Sequence, residues 1–241
     1  MLRNEIKIFL NGKIKYITWM ILVIWLCHNA CPVFCEEGLP VSGIKNVEAD
    51  ETLSEILDNI EKKYHNAGFK TDFIQSSILQ ALNITDKASG QAIFKYPGMM
   101  KWEYEKPEKQ SIITDGKNLW IYRPDDNQVI VGEFPSLFGE GRGAGFLSDI
   151  GVLRKKFLIS EEEGDKVSYK LKLIPGNKNP ELSMIILHVY KKDFSVTEVV
   201  TYNEYGDETR IELKNIDFTA NPDDSVFLFK IPENTDIIQL D

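Results

Sequence analysis

Residues 102–122 read WEYEKPEKQSIITDGKNLWIY, and this stretch decides the fold. Two aromatic segments, at 102–104 and 119–122, flank an isoleucine-rich one at 110–114. Lys106-Pro107 and Asp115-Gly116 separate the three segments and are typical of tight turns. The pattern predicts three short antiparallel strands. The stretch contains no histidine or cysteine, so it indicates the wall of a structure rather than a catalytic centre.

The same alternation extends over most of the chain. From Thr71 onward, apolar residues recur with a period near two, which predicts about eleven strands. The candidate strands are 71–81, 91–96, 101–105, 110–114, 118–122, 128–133, 167–174, 183–190, 196–202, 208–217 and 226–231. Short turns separate them, and strands do not alternate regularly with helices, which makes a doubly wound fold unlikely. The fold class is therefore mainly β, as a barrel or a strongly curved sheet.

Two amphipathic segments interrupt this pattern. Leu53, Ile56, Leu57, Ile60 and Tyr64 recur at helical spacing, and Thr52 with Glu55 has the spacing of a capping box. A glycine-rich stretch, 139–145, precedes a second predicted helix with apolar residues at Phe146, Leu147, Ile150, Leu153 and Phe157. The glycines do not match a phosphate-binding fingerprint. They indicate either the hinge of a mobile lid or a disordered loop.

The strand at 119–122 is apolar on both faces, so it needs cover on each side. The first helix can cover one side. A second helix or a ligand can cover the other.

The first 35 residues have the pattern of an export signal. Arg3, Lys7, Lys13 and Lys15 precede an apolar run, 16–26, that is too short to span a bilayer core of roughly 30 Å comfortably. We expect cleavage after Ala30 or Cys35, with a retained anchor as the alternative. The domain prediction is therefore a signal peptide at 1–35, a linker at 36–49 and one domain at 50–241.

Composition excludes several functional classes. The chain has 28 Lys and Arg against 37 Asp and Glu, with a formal net charge of −9. Such a chain is poorly suited to nucleic acid, which requires a basic face. His65 and His188 lack partners at metal-ligand spacing, and Glu103 with Glu105 is typical of a solvated strand face. We predict a protein that is not an enzyme and uses no cofactor or metal.

Several ordered motifs resemble the LolA-type family of periplasmic carriers of outer-membrane lipoproteins. They are Phe73-Ile-Gln75, Lys95-Tyr96-Pro97-Gly98 followed by Met100 to Tyr104, the run from Gln110 to Tyr122 with Pro124 and Gln128 beyond, and Phe227, Phe229 and Pro232 near the end. The resemblance spans roughly residues 50–238. The order of the motifs, together with the export signal, carries the resemblance.

The resemblance implies an incomplete antiparallel β-barrel whose helices form a lid over an apolar cavity for acyl chains. It implies a monomeric periplasmic chaperone that receives acylated lipoproteins from an inner-membrane ATP-driven release complex and delivers them to an outer-membrane receptor. The expected ligand-binding residues are Met100, Trp102, Tyr104, Ile113, Leu119, Trp120, Ile121 and Tyr122. The expected lid residues are Lys95, Tyr96, Phe138, Phe146, Leu147 and Ile150.

The chain departs from the family pattern at two places. The family usually has an arginine in the turn that latches the lid, and Tyr96 stands there in this chain. Tyrosine lacks the guanidinium fork, so Tyr96 is a weaker latch, Lys95 substitutes, or another group governs release. Ile231 and Asn234 occupy positions where proline and glycine are common. Met100 matches a position that assists cargo transfer, although an ordinary core methionine fits the sequence equally well.

Two alternative functions share this fold. Lipidation at Cys31 would make the protein a LolB-like outer-membrane receptor, although the residues before Cys31 do not favour lipidation. A sensing module that binds lipids or stray lipoproteins and contacts a regulator is the other alternative.

Overall fold

The computed structural model describes residues 47–134 and 142–240, with side chains over 53–134 and 144–240. The predicted signal peptide and Phe138 lie outside these residues. So does the predicted linker, except for 47–49, which begin the first helix. Within the described chain, no helix combines the length and hydropathy that a bilayer crossing requires.

Twelve strands form one sheet. In chain order they are β1 (Gly68–Leu79), β2 (Ile84–Lys95), β3 (Met99–Lys106), β4 (Gln110–Asp115), β5 (Asn118–Arg123), β6 (Gln128–Glu133), β7 (Phe157–Glu162), β8 (Ser168–Pro175), β9 (Met184–Tyr190), β10 (Val196–Tyr202), β11 (Glu208–Asp217) and β12 (Asp236–Gln239). Their order across the sheet is β12-β6-β5-β4-β3-β2-β1-β11-β10-β9-β8-β7. The first and last strands of this order do not pair within the described residues. The prediction of an incomplete β-barrel is therefore confirmed.

Sequential hairpins explain most of this order, because short turns join neighbouring antiparallel strands. The turn between β4 and β5 requires glycine at Gly116, whose φ is +91°. A Cβ atom there would also lie 3.2 Å from the carbonyl oxygen of Pro97. Two pairings join strands that are not consecutive in the chain: β1 pairs with β11, and β12 pairs with β6 in parallel.

Four helical segments in the described residues cover the sheet or connect its strands. They are α1 (Val47–Tyr64), the 3-10 helices Gln80–Leu82 and Arg142–Ser148, and α2 (Val152–Lys156). Of these, α1, the 142–148 helix and α2 cover the concave face, and the short Gln80–Leu82 helix forms the β1–β2 turn. A third 3-10 helix, Asp224–Phe227, lies against β3 and β4.

The structure corrects several predicted boundaries. The first helix begins at Val47 rather than at Thr52. The single helix predicted from Phe146 to Phe157 is instead a 3-10 helix that ends at Ser148, a short α2 that begins after Gly151, and the start of β7. The strand predicted at 226–231 is wrong, since residues 224–227 form a 3-10 helix and β12 follows later.

Candidate functional site

The concave face of the sheet is apolar at its centre and lined with aromatic rings. On β1 to β3 its inward residues include Phe69, Phe73, Phe94, Met100 and Trp102, each at most 2% exposed. Phe73 and Phe94 meet the Trp102 ring nearly at right angles, with centroids 4.8 and 5.4 Å away. Edge-to-face packing of this kind is favourable beyond the burial of area alone. On β8 to β11 the same face continues with Leu171, Leu173, Ile185, Leu187, Val199, Ile211 and Leu213.

Side chains from the helices fill this concave face. α1 buries Ile56, Leu57, Ile60 and Tyr64 in the same core cluster as the sheet residues. The second cover consists of the 142–148 helix and α2, and it contributes Phe146, Leu147, Ile150 and Leu153. The structure therefore shows a closed state in which the covers occupy the space above the sheet.

The C-terminal end of α1 is fixed by several polar contacts. The Tyr64 hydroxyl accepts a hydrogen bond from the backbone N–H of Val196 at 2.9 Å, and burial raises the pKa of this tyrosine well above its usual value. The Lys63 ammonium lies 2.9 Å from the Asp193 carboxylate and 4.4 Å from the centroid of the Phe218 ring. These contacts tie the end of the helix to the β9–β10 loop and to the segment after β11.

The middle of α1 is held by one arginine of the second cover. Arg154 of α2 donates from Nε to the Glu61 carboxylate at 2.7 Å and from a terminal nitrogen to the Ser54 carbonyl at 3.2 Å. It also forms a short ion pair with Asp58. Arg154 thus joins the two covers to each other. Sequence reasoning missed it, because nothing in the run Arg154-Lys155-Lys156 distinguishes one basic residue from the next.

The backbone of the β2–β3 turn contacts the second cover and the turn that follows α1. The N–H of Tyr96 donates to the Ala67 carbonyl at 3.0 Å, and that of Gly98 donates to the Ser148 carbonyl at 2.9 Å. The Tyr96 ring packs on His65, with centroids 4.8 Å apart. Lys95 donates instead to the Pro222 carbonyl at 2.9 Å and pairs with Asp224. Lys95 therefore holds the C-terminal segment rather than α1.

The structure divides the predicted ligand-binding residues between the two faces of the sheet. On the concave face lie Met100, Trp102, Tyr104, Leu119 and Ile121. Ile113, Trp120 and Tyr122 lie on the opposite face by strand alternation, since Ile113 pairs with Trp120 and Tyr122 pairs with Ser111. These three residues therefore do not line the concave face. Of the predicted lid residues, Phe146, Leu147 and Ile150 are buried in the second cover, and Phe138 lies outside the described residues.

The C-terminal segment, residues 218–235, begins on the concave face, where Phe218 stacks on Phe69, and then covers the opposite face of β5. Phe229 approaches Tyr122 and Trp120, with ring centroids 5.4 and 6.3 Å apart. Phe227 is fully buried. The sequence predicted that a second helix or a ligand would cover this side of β5. The C-terminal segment covers it instead. One apolar face of β5 therefore packs in the concave core, and the other packs against the C-terminal segment.

The concave face changes from apolar to polar along its strands. Phe94 and Met100 lie opposite each other in one row, Ala92 and Trp102 in the next, and Gly90 and Tyr104 in the third. The Tyr104 hydroxyl donates to Gln75 at 2.9 Å, and Gln75 donates to Ser77 at 3.2 Å. Ser77 lies 3.4 Å from the Thr209 hydroxyl. A chain of polar groups thus lines the end of the face nearest the β1–β2 turn.

Ionisable groups on the opposite face of β9 to β11 form surface ion pairs. Glu198 lies 2.6 Å from Arg210 and 3.5 Å from His188. Lys214 lies 3.2 Å from Glu212. Within the described residues, His, Cys, Asp and Glu side chains form no group of three that could hold a metal ion. These charges have the arrangement of a solvated strand face.

Comparison with known proteins agrees with this architecture. Residues 65–230 match the family model described as outer membrane lipoprotein carrier protein LolA. An outer-membrane lipoprotein carrier protein of Nitrosomonas europaea is 27% identical over 171 residues, which cover 71% of this chain and 82% of that protein. One of Bordetella pertussis is 26% identical over 212 residues, covering 88% and 96%.

A solved structure supports the fold alone. An uncharacterized conserved protein from Thermus thermophilus superposes with a TM-score of 0.52 and 15% identity, covering 78% of this chain and 99% of that chain. The family assignment rests instead on the sequence match, which begins just after α1 and ends within the C-terminal segment. The chain belongs to the LolA family of outer membrane lipoprotein carrier proteins.

Proposed function

We propose that this protein is a periplasmic chaperone that binds the acyl chains of lipoproteins on its concave face and carries them to the outer membrane. The observation that supports the proposal most directly is an apolar concave face under two covers joined to each other by side-chain contacts. Removing the covers would uncover Phe73, Phe94, Met100, Trp102 and Leu119. These side chains would then be available to an acyl chain.

The filled interior suits a carrier that must also release its cargo. Each methylene removed from water contributes about 0.8 kcal/mol, so several acyl chains in an empty, ready-made cavity would bind almost irreversibly. Here cargo must displace Ile56, Leu57 and Ile60 of α1, whose own burial is lost on opening. This competition lowers the net affinity and makes transfer to another binder feasible.

We propose two membrane partners on the strength of the family membership. An inner-membrane ATP-driven release complex would supply the lipoprotein, and an outer-membrane receptor would accept it. The basic and apolar pattern of residues 1–35 supports export to the periplasm. We expect the carrier to act as a monomer.

Co-purification with cargo tests the proposal. The protein is co-expressed with an acylated lipoprotein, isolated, and examined by mass spectrometry for bound acylated polypeptide. A matched pair of variants supplies the control. Ile121 and Val131 are both half-buried on neighbouring strands, but they face opposite sides of the sheet. Ile121→Gln should reduce cargo recovery, and Val131→Gln should leave it unchanged. Recovery of no acylated cargo with the unmodified protein would refute the proposal.

A further inference from the structure

The Trp102 side chain carries a buried hydrogen-bond donor without a partner. The residue is 2% exposed, and its indole Nε1 has no hydrogen-bond partner within the described chain. Its ring neighbours are Phe73 and Phe94, and aromatic faces accept an N–H only weakly. Buried N–H groups are almost always paired, since an unpaired one loses its hydration without compensation. The closed state therefore contains a donor that a further group can satisfy.

Trp102 lies where the concave face changes from apolar to polar side chains. Met100, one inward position earlier on β3, is completely buried among apolar side chains, whereas Tyr104, one position later, already donates to Gln75. The other buried donor atom that lacks a partner in the described chain is Nε of Arg123. By strand alternation Arg123 follows Ile121 on the same concave face of β5. Both unpaired donors thus stand at the boundary between the apolar and polar ends.

An acyl chain likewise has an apolar part and a polar part, which match the two ends of the concave face. Its hydrocarbon tail requires an apolar surface, and its head is a carbonyl whose oxygen accepts hydrogen bonds. We propose that Trp102 Nε1 donates to the carbonyl oxygen at the head of a bound acyl chain. The tail then lies toward Phe94 and Met100, and the polypeptide end of the cargo lies toward Gln75 and Ser77. This inference rests on the proposed function and adds the chemical group recognised and the orientation of the cargo.

The proposal predicts that removing the indole N–H of Trp102 weakens cargo binding but does not lower the stability of the empty protein. In the empty protein the unpaired N–H is unfavourable, so an isosteric ring without the N–H should leave the closed state at least as stable. In the loaded protein the same change removes a hydrogen bond to the cargo. A tryptophan that merely fills space would show no loss of binding that depends on the carbonyl of the ligand.

The test replaces Trp102 site-specifically by 3-benzothienylalanine, in which sulfur stands in place of N–H. This isostere avoids the cavity that Trp102→Phe would leave. The same replacement of Trp120, which lies on the opposite face, is the control. Affinities are measured by displacement of an apolar fluorescent probe, N-phenyl-1-naphthylamine. Three ligands with equal numbers of non-hydrogen atoms are compared: methyl dodecanoate, N-methyl dodecanamide and pentadecane.

The ester and the amide should bind about threefold to tenfold more weakly to the Trp102 variant, which is the usual effect of one lost hydrogen bond. Pentadecane should bind equally to both proteins, and the unfolding midpoint of the empty variant should not fall. A loss for only the ester or only the amide assigns the bond to that carbonyl.

Three results overturn the inference. An equal change for all three ligands, or no change for any, would overturn it and leave the proposed function intact. Binding of none of the ligands by the unmodified protein would overturn the proposed function and this inference together.

Discussion

Replacing Arg154 by glutamine should release the middle of α1 from the concave face without unfolding the sheet. The side chain of Arg154 is 35% exposed, and those of Asp58 and Glu61 are 68% and 36% exposed. Exposed ion pairs contribute about 0.2–1 kcal/mol each. Two such pairs and the bond to the Ser54 carbonyl therefore stabilise the closed cover by about 1–2 kcal/mol. Their loss should raise the ratio of open to closed protein about 5- to 30-fold.

Hydrogen exchange followed by mass spectrometry measures this change without any cargo. Peptides from 53–60 should exchange faster in Arg154→Gln, while peptides from β1 and β11 should be unaffected. Residues 64–67 should also stay protected, because Tyr64 and Lys63 fix that end of the helix independently. The unmodified protein should open more readily as salt is added, and the variant should lose most of this salt dependence.

Two control variants separate the ion pairs from a general effect of charge. Lys155→Gln removes a neighbouring exposed cation that has no ion pair within the described chain, so exchange should not change. Arg154→Glu should open α1 further than Arg154→Gln, and adding Glu61→Arg should restore part of the protection. Equal effects of Lys155→Gln and Arg154→Gln, or unchanged exchange at 53–60, would refute this account of closure.

Three further predictions follow from the packing. Tyr96→Ala should change the opening of α1 less than Arg154→Gln does, as measured by the same exchange, because the turn contacts Ala67 and Ser148 through its backbone. Met100→Ala should lower the free energy of unfolding in urea by about 2–5 kcal/mol, since Met100 is completely buried; a change below about 1 kcal/mol would contradict its place in the core. Partial burial alone would raise the pKa of Asp193, but hydrogen bonds from Lys63 and Ser195 outweigh it and hold the pKa below its usual value. This contribution to stability is present above about pH 4 and is lost as the pH falls through the lowered pKa. Asp193→Asn should therefore reduce the acid-induced increase in exchange near 61–67, and an unchanged pH dependence would exclude the Lys63–Asp193 pair as its cause.

Local sequence patterns predicted most of the strands, because most of the sheet consists of consecutive hairpins. Each hairpin is marked by turn residues between two segments of alternating apolar and polar residues. The stretch 102–122 shows this directly, since β3, β4 and β5 lie within it and its two turn signals mark their ends. The two strands that were missed, β7 and β12, are the edges of the sheet. An edge strand has neighbours on only one side, so its sequence is under weaker demand for alternating apolar residues.

The sequence could not predict which face of the sheet a side chain lies on where both sides of a strand are apolar. Trp120 and Ile121 are adjacent and equally apolar, yet one lies beneath Phe229 and the other faces the covers. The deciding partner comes from a segment far along the chain. Arg154 escaped prediction for a similar reason, because its partners Asp58 and Glu61 approach it only when both covers lie on the sheet.

The position of β1 between β2 and β11 also determines when the chain can fold. β2 follows β1 directly, but the pairing of Gln75 with Ile211 must wait for the distant end of the polypeptide. Pairings across such long separations form slowly, because the entropy of closing the loop is lost before the contacts are gained. The middle strand of the sheet therefore stays half-paired until nearly all of the chain has been synthesised.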